Sequence, residues 1–155
     1  MLPWEKESAS KHIWTYAGGI LYHISILTAM LFLATILLDI SFPKILFYTA
    51  RILLVIGLFC GAALLIKRIL KQHLRTLSSS DDYWANFLVD LLLLLALAST
   101  FTEKAFIPFL IIAIVTLIYI PFGKLRHCVF FFYSRIIFGD FFGKRGVFPH
   151  PSKKI

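Results

Sequence analysis

Two histidines, His23 and His127, lie in apolar stretches of this chain. An imidazole at lipid depth costs stability unless something binds it, and iron is a partner that would account for two of them at once. Two neutral imidazoles, one from each of two helices, are the axial ligand set of a low-spin b-type haem. The plainer alternative is a histidine hydrogen-bonded to a neighbouring helix. Cysteine adds nothing to the metal chemistry, because Cys60 and Cys128 form neither a Cys-x-x-Cys-His element nor a paired zinc or iron-sulfur spacing. Any haem would therefore be held non-covalently. His12 and His73 fall at helix ends and His150 in a Pro-flanked tail, where water or headgroups can satisfy them.

The elements that must position the pair are membrane spans. The chain is 59% hydrophobic and 15% charged, well below the roughly one-quarter charged residues of ordinary globular domains. Its mean hydropathy of +0.85 belongs to a chain that lives in lipid. Four apolar stretches are expected to cross, near residues 13–38, 46–66, 84–101 and 106–128. Each approaches the roughly 20 residues that a helix needs to span about 30 Å of hydrocarbon. The first is too long for a cleavable signal, and no small-x-small cleavage pattern follows it. The expected fold is thus an all-α, integral membrane four-helix bundle in one domain, with no room for a soluble catalytic domain beside it.

Charge sets the orientation. With both termini inside, the inner segments hold Lys6, Lys11, Lys67, Arg68, Lys71, Arg75, Lys124, Arg126, Arg135, Lys144, Arg145, Lys153 and Lys154, against Lys44, Arg51 and Lys104 outside. Short loops rich in Lys and Arg stay in the cytoplasm, so both termini are expected to be cytoplasmic and the membrane to be the cell inner membrane. The same bias accounts for much of the net charge of +8, which needs no nucleic-acid partner to explain it. On this topology His23 lies about 16 Å into the first helix, and the fourth span returns His127 toward the same side.

Several polar residues invite roles. Lys124 and Arg126 flank His127 and could neutralise haem propionates, or, for Lys124, simply snorkel to the surface. Arg51 and Asp90 lie inside the second and third spans at depths differing by roughly 13 Å, too far for direct pairing, so each is expected to face a cavity or a partner. Arg51 could help hold a quinone headgroup. Asp82 is the expected N-cap of the third helix. The tail from Phe130 to Phe148 combines eight Phe and Tyr residues with Arg135, Lys144 and Arg145. It reads as an interfacial anchor, with docking of a soluble subunit as an added use.

The segment Tyr119 to Cys128, Tyr-Ile-Pro-Phe-Gly-Lys-Leu-Arg-His-Cys, resembles the last-helix motif of the respiratory nitrate reductase gamma-subunit family, where Pro-Phe, a basic residue, Leu and a haem-ligating His recur in that order. Gly19 to Leu27, Gly-Ile-Leu-Tyr-His-Ile-Ser-Ile-Leu, resembles the family's other ligand-bearing helix, and the basic stretch from Lys67 to Asp82 is similar to its inner loop. The Pro-Phe-x-Lys-Leu-x-His element is the most specific of the three, and together they cover most of the chain. The family has a further N-terminal helix with no counterpart here, and its members typically bind two haems through four histidines. Where the second pair would fall, this chain has Leu33 and Phe109.

The resemblance implies one haem b, ligated by His23 and His127, nearest the cytoplasmic partner, with the quinone-proximal haem absent. It implies a membrane cytochrome b subunit that relays electrons between the quinone pool and an iron-sulfur or other redox subunit on the cytoplasmic face. That is an electron-transfer subunit of an oxidoreductase complex. A haem-free membrane anchor that recruits soluble redox subunits is the competing expectation.

Overall fold

A computed structural model describes residues 13–40 and 43–145 of the chain. All of its regular structure is helical: α1 (Ile13–Leu37), α2 (Lys44–Leu70), α3 (Gln72–Leu77), α4 (Ser80–Ser99), α5 (Phe106–Tyr119) and α6 (His127–Arg145). Short 3-10 turns at Glu103–Ala105 and Lys124–Arg126 precede α5 and α6. His12, His150, Lys6, Lys11, Lys153 and Lys154 lie outside the described residues, as does the end of the aromatic tail.

Three helices, α1, α2 and α4, are long and apolar enough to cross a membrane. The chain is therefore a membrane protein in character. The fourth expected span departs from expectation. It does not run as one helix over 106–128: α5 stops after 14 residues, about 21 Å of rise, at Tyr119. Pro121 has no N–H to continue the ladder, and the next two amides turn back onto one carbonyl, Phe122 N–H and Gly123 N–H both donating to Tyr119 O at 3.1 and 2.9 Å. The Tyr119 ring lies so close over Gly123 that a Cβ there would fall 2.2 Å from it. The chain then restarts as a helix at His127.

The other ends follow local chemistry. α1 closes on a Schellman arrangement, with Ile40 N–H donating to Thr35 O at 2.9 Å and Asp39 between them at φ 52°, a left-handed position that Asp tolerates better than most residues. Ser79, rather than Asp82, is the N-cap of α4. Asp82 is the third helical residue and reaches back to accept the Ser79 backbone N–H at 2.8 Å, which is one arm of a capping box.

α1 and α2 pack along their length, α4 lies against α1, α2 and α5, and one core runs through the four of them. It comprises Tyr22, Ala29, Phe32 and Leu33 of α1, Leu54 of α2, Val89, Leu92, Leu93 and Ala96 of α4, and Phe109 and Ala113 of α5. Gly57 and Gly61, one turn apart on α2, make the close approach possible. A Cβ on Gly57 would fall 2.3 Å from Ser25 Cβ, and one on Gly61 would fall 2.0 Å from the Asp90 carboxylate. Ser25 is fully buried and its hydroxyl lies 2.6 Å from Leu53 O and 2.9 Å from Leu21 O, so it ties α1 to α2 without leaving a polar atom bare. Outward, the long helices carry Leu27, Leu31, Phe59, Ile66 and Trp84 among many exposed apolar side chains, a surface that water disfavours and lipid accepts.

Candidate functional site

α1 and the start of α6 bring the two candidate ligands together. The rings of His23 and His127 have centroids 6.3 Å apart, with 65° between their planes. These positions are 104 residues apart in the chain and face one another because α1 returns to the core beside the turn that follows α5. The break at Pro121 matters here. It lets His127 open a new helix rather than trail at the end of α5.

Each ring is held by its own backbone. His23 Nδ1 lies 2.7 Å from Gly19 O and His127 Nδ1 lies 2.6 Å from Lys124 O. A carbonyl can only accept, so each Nδ1 donates its proton there and Nε2 is the ring nitrogen left out of that bond. Fixing the tautomer through a backbone carbonyl is the usual support for a metal-ligating imidazole. Metal–nitrogen bonds of about 2 Å on either side of one ion, added to the distance from each nitrogen to its ring centre, put the centroids of a bis-imidazole pair roughly 6 Å apart. The observed centroid separation is of that size, and Cys128 Sγ lies 3.9 Å from His127 Nε2.

Among the described residues no group of three or more His, Cys, Asp or Glu is arranged to hold a metal ion. A pair of imidazoles by itself is too few for a structural zinc site. Two imidazoles could hold a metal whose other ligands come from a cofactor. The histidines border a cavity of about 900 Å³ between α1, α2, α4, α5 and α6. Ile26, Leu27, Met30, Leu64, Val89 and Leu92 line its apolar part, and Phe131 and Phe132 of α6 lie on its edge. The volume falls within the range of small-molecule and cofactor sites.

The cavity's other flank is cationic. Lys124 lines it, as the sequence suggested, but Arg126 does not: it is exposed, on the far side of the 3-10 turn. The positions that sequence reasoning left to the surface are Lys67, Arg68, Lys71 and His73, all of which face the cavity. Asp82 ties two of the cations together, with Arg68 Nη1 and Lys124 Nζ each 3.3 Å from Oδ1. Such half-exposed pairs contribute at most about 1 kcal/mol each, so their main effect is to hold the two side chains in place. The clue was available in the placing of Lys67 and Arg68 at the end of α2, Asp82 at the start of α4 and Lys124 just after α5, which a shared end must bring near one another.

Asp90 and Arg51 both find partners within the described chain. Asp90 accepts from Tyr22 Oη and from Asn86 Nδ2, each at 2.8 Å, so both carboxylate oxygens are used. Asn86 and Asp90 are four apart on α4 and therefore share a face, and Tyr22 is the neighbour of His23 on α1. Arg51 lies between the rings of Phe47 and Phe101, 4.5 and 4.1 Å from their centroids, while its Nε donates to Thr100 Oγ1 at 2.9 Å and its Nη2 to Thr100 O. That places a cation on the C-terminal carbonyls of α4. Neither residue borders the cavity. No family model matches the chain, and comparison with known proteins and with solved structures returns no significant match.

Proposed function

We propose that this chain is a membrane cytochrome b subunit that holds one haem b and relays electrons between the quinone pool and a redox partner on the cytoplasmic face of the inner membrane. One observation carries the proposal: two histidines remote in sequence face each other 6.3 Å apart, each with Nδ1 committed to a carbonyl, at the wall of a cavity. When bound, haem would supply a one-electron couple within the bilayer.

The chain's own residues would do the rest. His23 and His127 would hold the haem iron through their imidazoles. The apolar wall from α1 and α4 would exclude water and set the polarity around the couple. Lys124, held by Asp82, would lie beside the anionic edge of the porphyrin, and Arg126 would add positive charge outside the cavity.

The proposed topology is a four-helix bundle with both termini cytoplasmic. In it α5, the turn at 120–126 and the start of α6 together make the fourth crossing, and the ends bearing Lys67 to Arg75 and Lys124 to Arg126 lie inside. The exposed aromatic residues of α6, among them Phe130, Tyr133 and Phe138, would rest at the membrane interface close to the partner subunit.

A reduced-minus-oxidised optical spectrum of the purified chain tests the proposal. Sharp low-spin b-type bands are expected. A purified, folded chain that yields no haem and takes none up would instead leave the anchor function, in which the protein only recruits soluble redox subunits.

A further inference from the structure

The cavity is two-sided. Its deep wall is apolar, from Ile26 and Met30 of α1 and Val89 and Leu92 of α4, whereas Lys67 and Arg68 of α2 and Lys71, its C-cap, line it together with Lys124. Asp82 is the carboxylate on that flank, and it is already engaged by Arg68 and Lys124 at 3.3 Å. Among the described residues Lys67 donates to the neutral hydroxyl of Thr15, and no carboxylate there pairs with Lys67 or Lys71. Among the described residues four cations thus border one carboxylate, and two of the four have no anionic partner. Bringing like charges together beside an apolar wall is unfavourable until anions arrive.

We infer that Lys67 and Lys71, at the C-terminal end of α2, form a dicarboxylate-binding edge of the cavity that orients a porphyrin by its two propionates, while Asp82 holds Arg68 and Lys124 as the adjoining brace. The inference rests on the proposed haem site and extends it, since Lys67 and Lys71 were expected only to set topology. A porphyrin matches this cavity because it is itself two-sided: a flat apolar ring with both carboxylates on one edge. The chemistry recognised is a pair of anionic oxygen groups, which could also come from phospholipid phosphates at the bilayer surface. Haem carboxylates are the better match, because the cations share one cavity with His23 and His127.

The test uses the full chain, stripped of porphyrin and reconstituted in neutral phosphatidylcholine nanodiscs, titrated with iron protoporphyrin IX and with its dimethyl ester while the Soret band is followed. The native chain is expected to bind the free acid about tenfold or more tightly than the ester. Lys67→Gln with Lys71→Gln should bring that ratio down to within about threefold, with an unchanged low-spin spectrum and unchanged helicity by circular dichroism. Equal binding of acid and ester by the native chain overturns the inference while leaving the haem site standing, as does a double variant that keeps the full ratio. Lysines that instead control retention of phosphatidylglycerol, with no acid-to-ester preference, also overturn it and assign the edge to lipid. Binding of neither porphyrin defeats the haem site itself, and the inference with it.

Discussion

His23 and His127 stand 6.3 Å apart across the cavity wall, and each turns its Nδ1 onto a carbonyl of its own helical turn, Gly19 O for one and Lys124 O for the other. The two Nε2 atoms are what this leaves to a ligand. Both supports are backbone atoms, so no neighbouring side chain has to be kept for the tautomers to hold.

The first consequence is spectroscopic. His23→Ala and His127→Ala are each expected to abolish the low-spin b-type spectrum, because one remaining imidazole leaves iron five-coordinate and loosely held. His73→Ala and His12→Ala should leave it intact. His73 borders the cavity but has no facing imidazole among the described residues. A normal spectrum in His23→Ala or His127→Ala would reject the ligand assignment, and its loss in His12→Ala would move the first ligand to that residue.

Haem count should be one per chain by pyridine haemochrome assay against protein mass. Leu33 is 6% exposed and Phe109 0% exposed, both inside the core, with Phe109 tilted against Phe32 at 5.9 Å between centroids. Neither side chain can ligate iron, and both are packed in the core. A ratio near two would refute this.

Topology is testable with fusions. Thirteen basic residues assigned inside against three outside predict that a reporter active only in the cytoplasm works when fused after Ile155. Activity of a periplasm-dependent reporter at the same point would reverse the orientation.

Gly57→Ala is expected to destabilise the fold by about 1–3 kcal/mol, measured by thermal unfolding in detergent. The added Cβ would meet Ser25 Cβ at 2.3 Å, and since both atoms are fixed to their backbones α1 and α2 would have to part. An unchanged midpoint would mean that the two helices are not held at this spacing.

Arg51→Leu removes a cation that sits between Phe47 and Phe101 and bonds to Thr100. A loss of about 1–2 kcal/mol is expected from the missing stacking and hydrogen bonds, with the haem spectrum unaltered because Arg51 does not border the cavity. A shifted spectrum or altered quinone response would give Arg51 a place in electron transfer instead of in packing.

What the sequence determined by itself was the material and its rough division. Apolar composition required lipid, run length located α1, α2 and α4 to within a few residues, and the rarity of histidine within apolar stretches isolated His23 and His127, since each of these is a property of local residues. The depth difference between Arg51 and Asp90 was likewise legible, because helix rise alone forbids their pairing, but not the partners they chose. Tertiary structure decided those. Tyr22 meets Asp90 only because Gly61 lets α1, α2 and α4 approach closely, and Thr100 meets Arg51 only because α4 ends where the second turn of α2 begins its crossing. The break at Pro121 was written in the sequence yet its outcome was not: a proline in a span can kink a helix or end it, and here the Tyr119 ring over Gly123 ends it. That same break turned Lys124 toward the cavity and Arg126 away, a choice between two basic residues two positions apart that depends on the rotation of a single turn and so lies beyond any reading of composition or spacing.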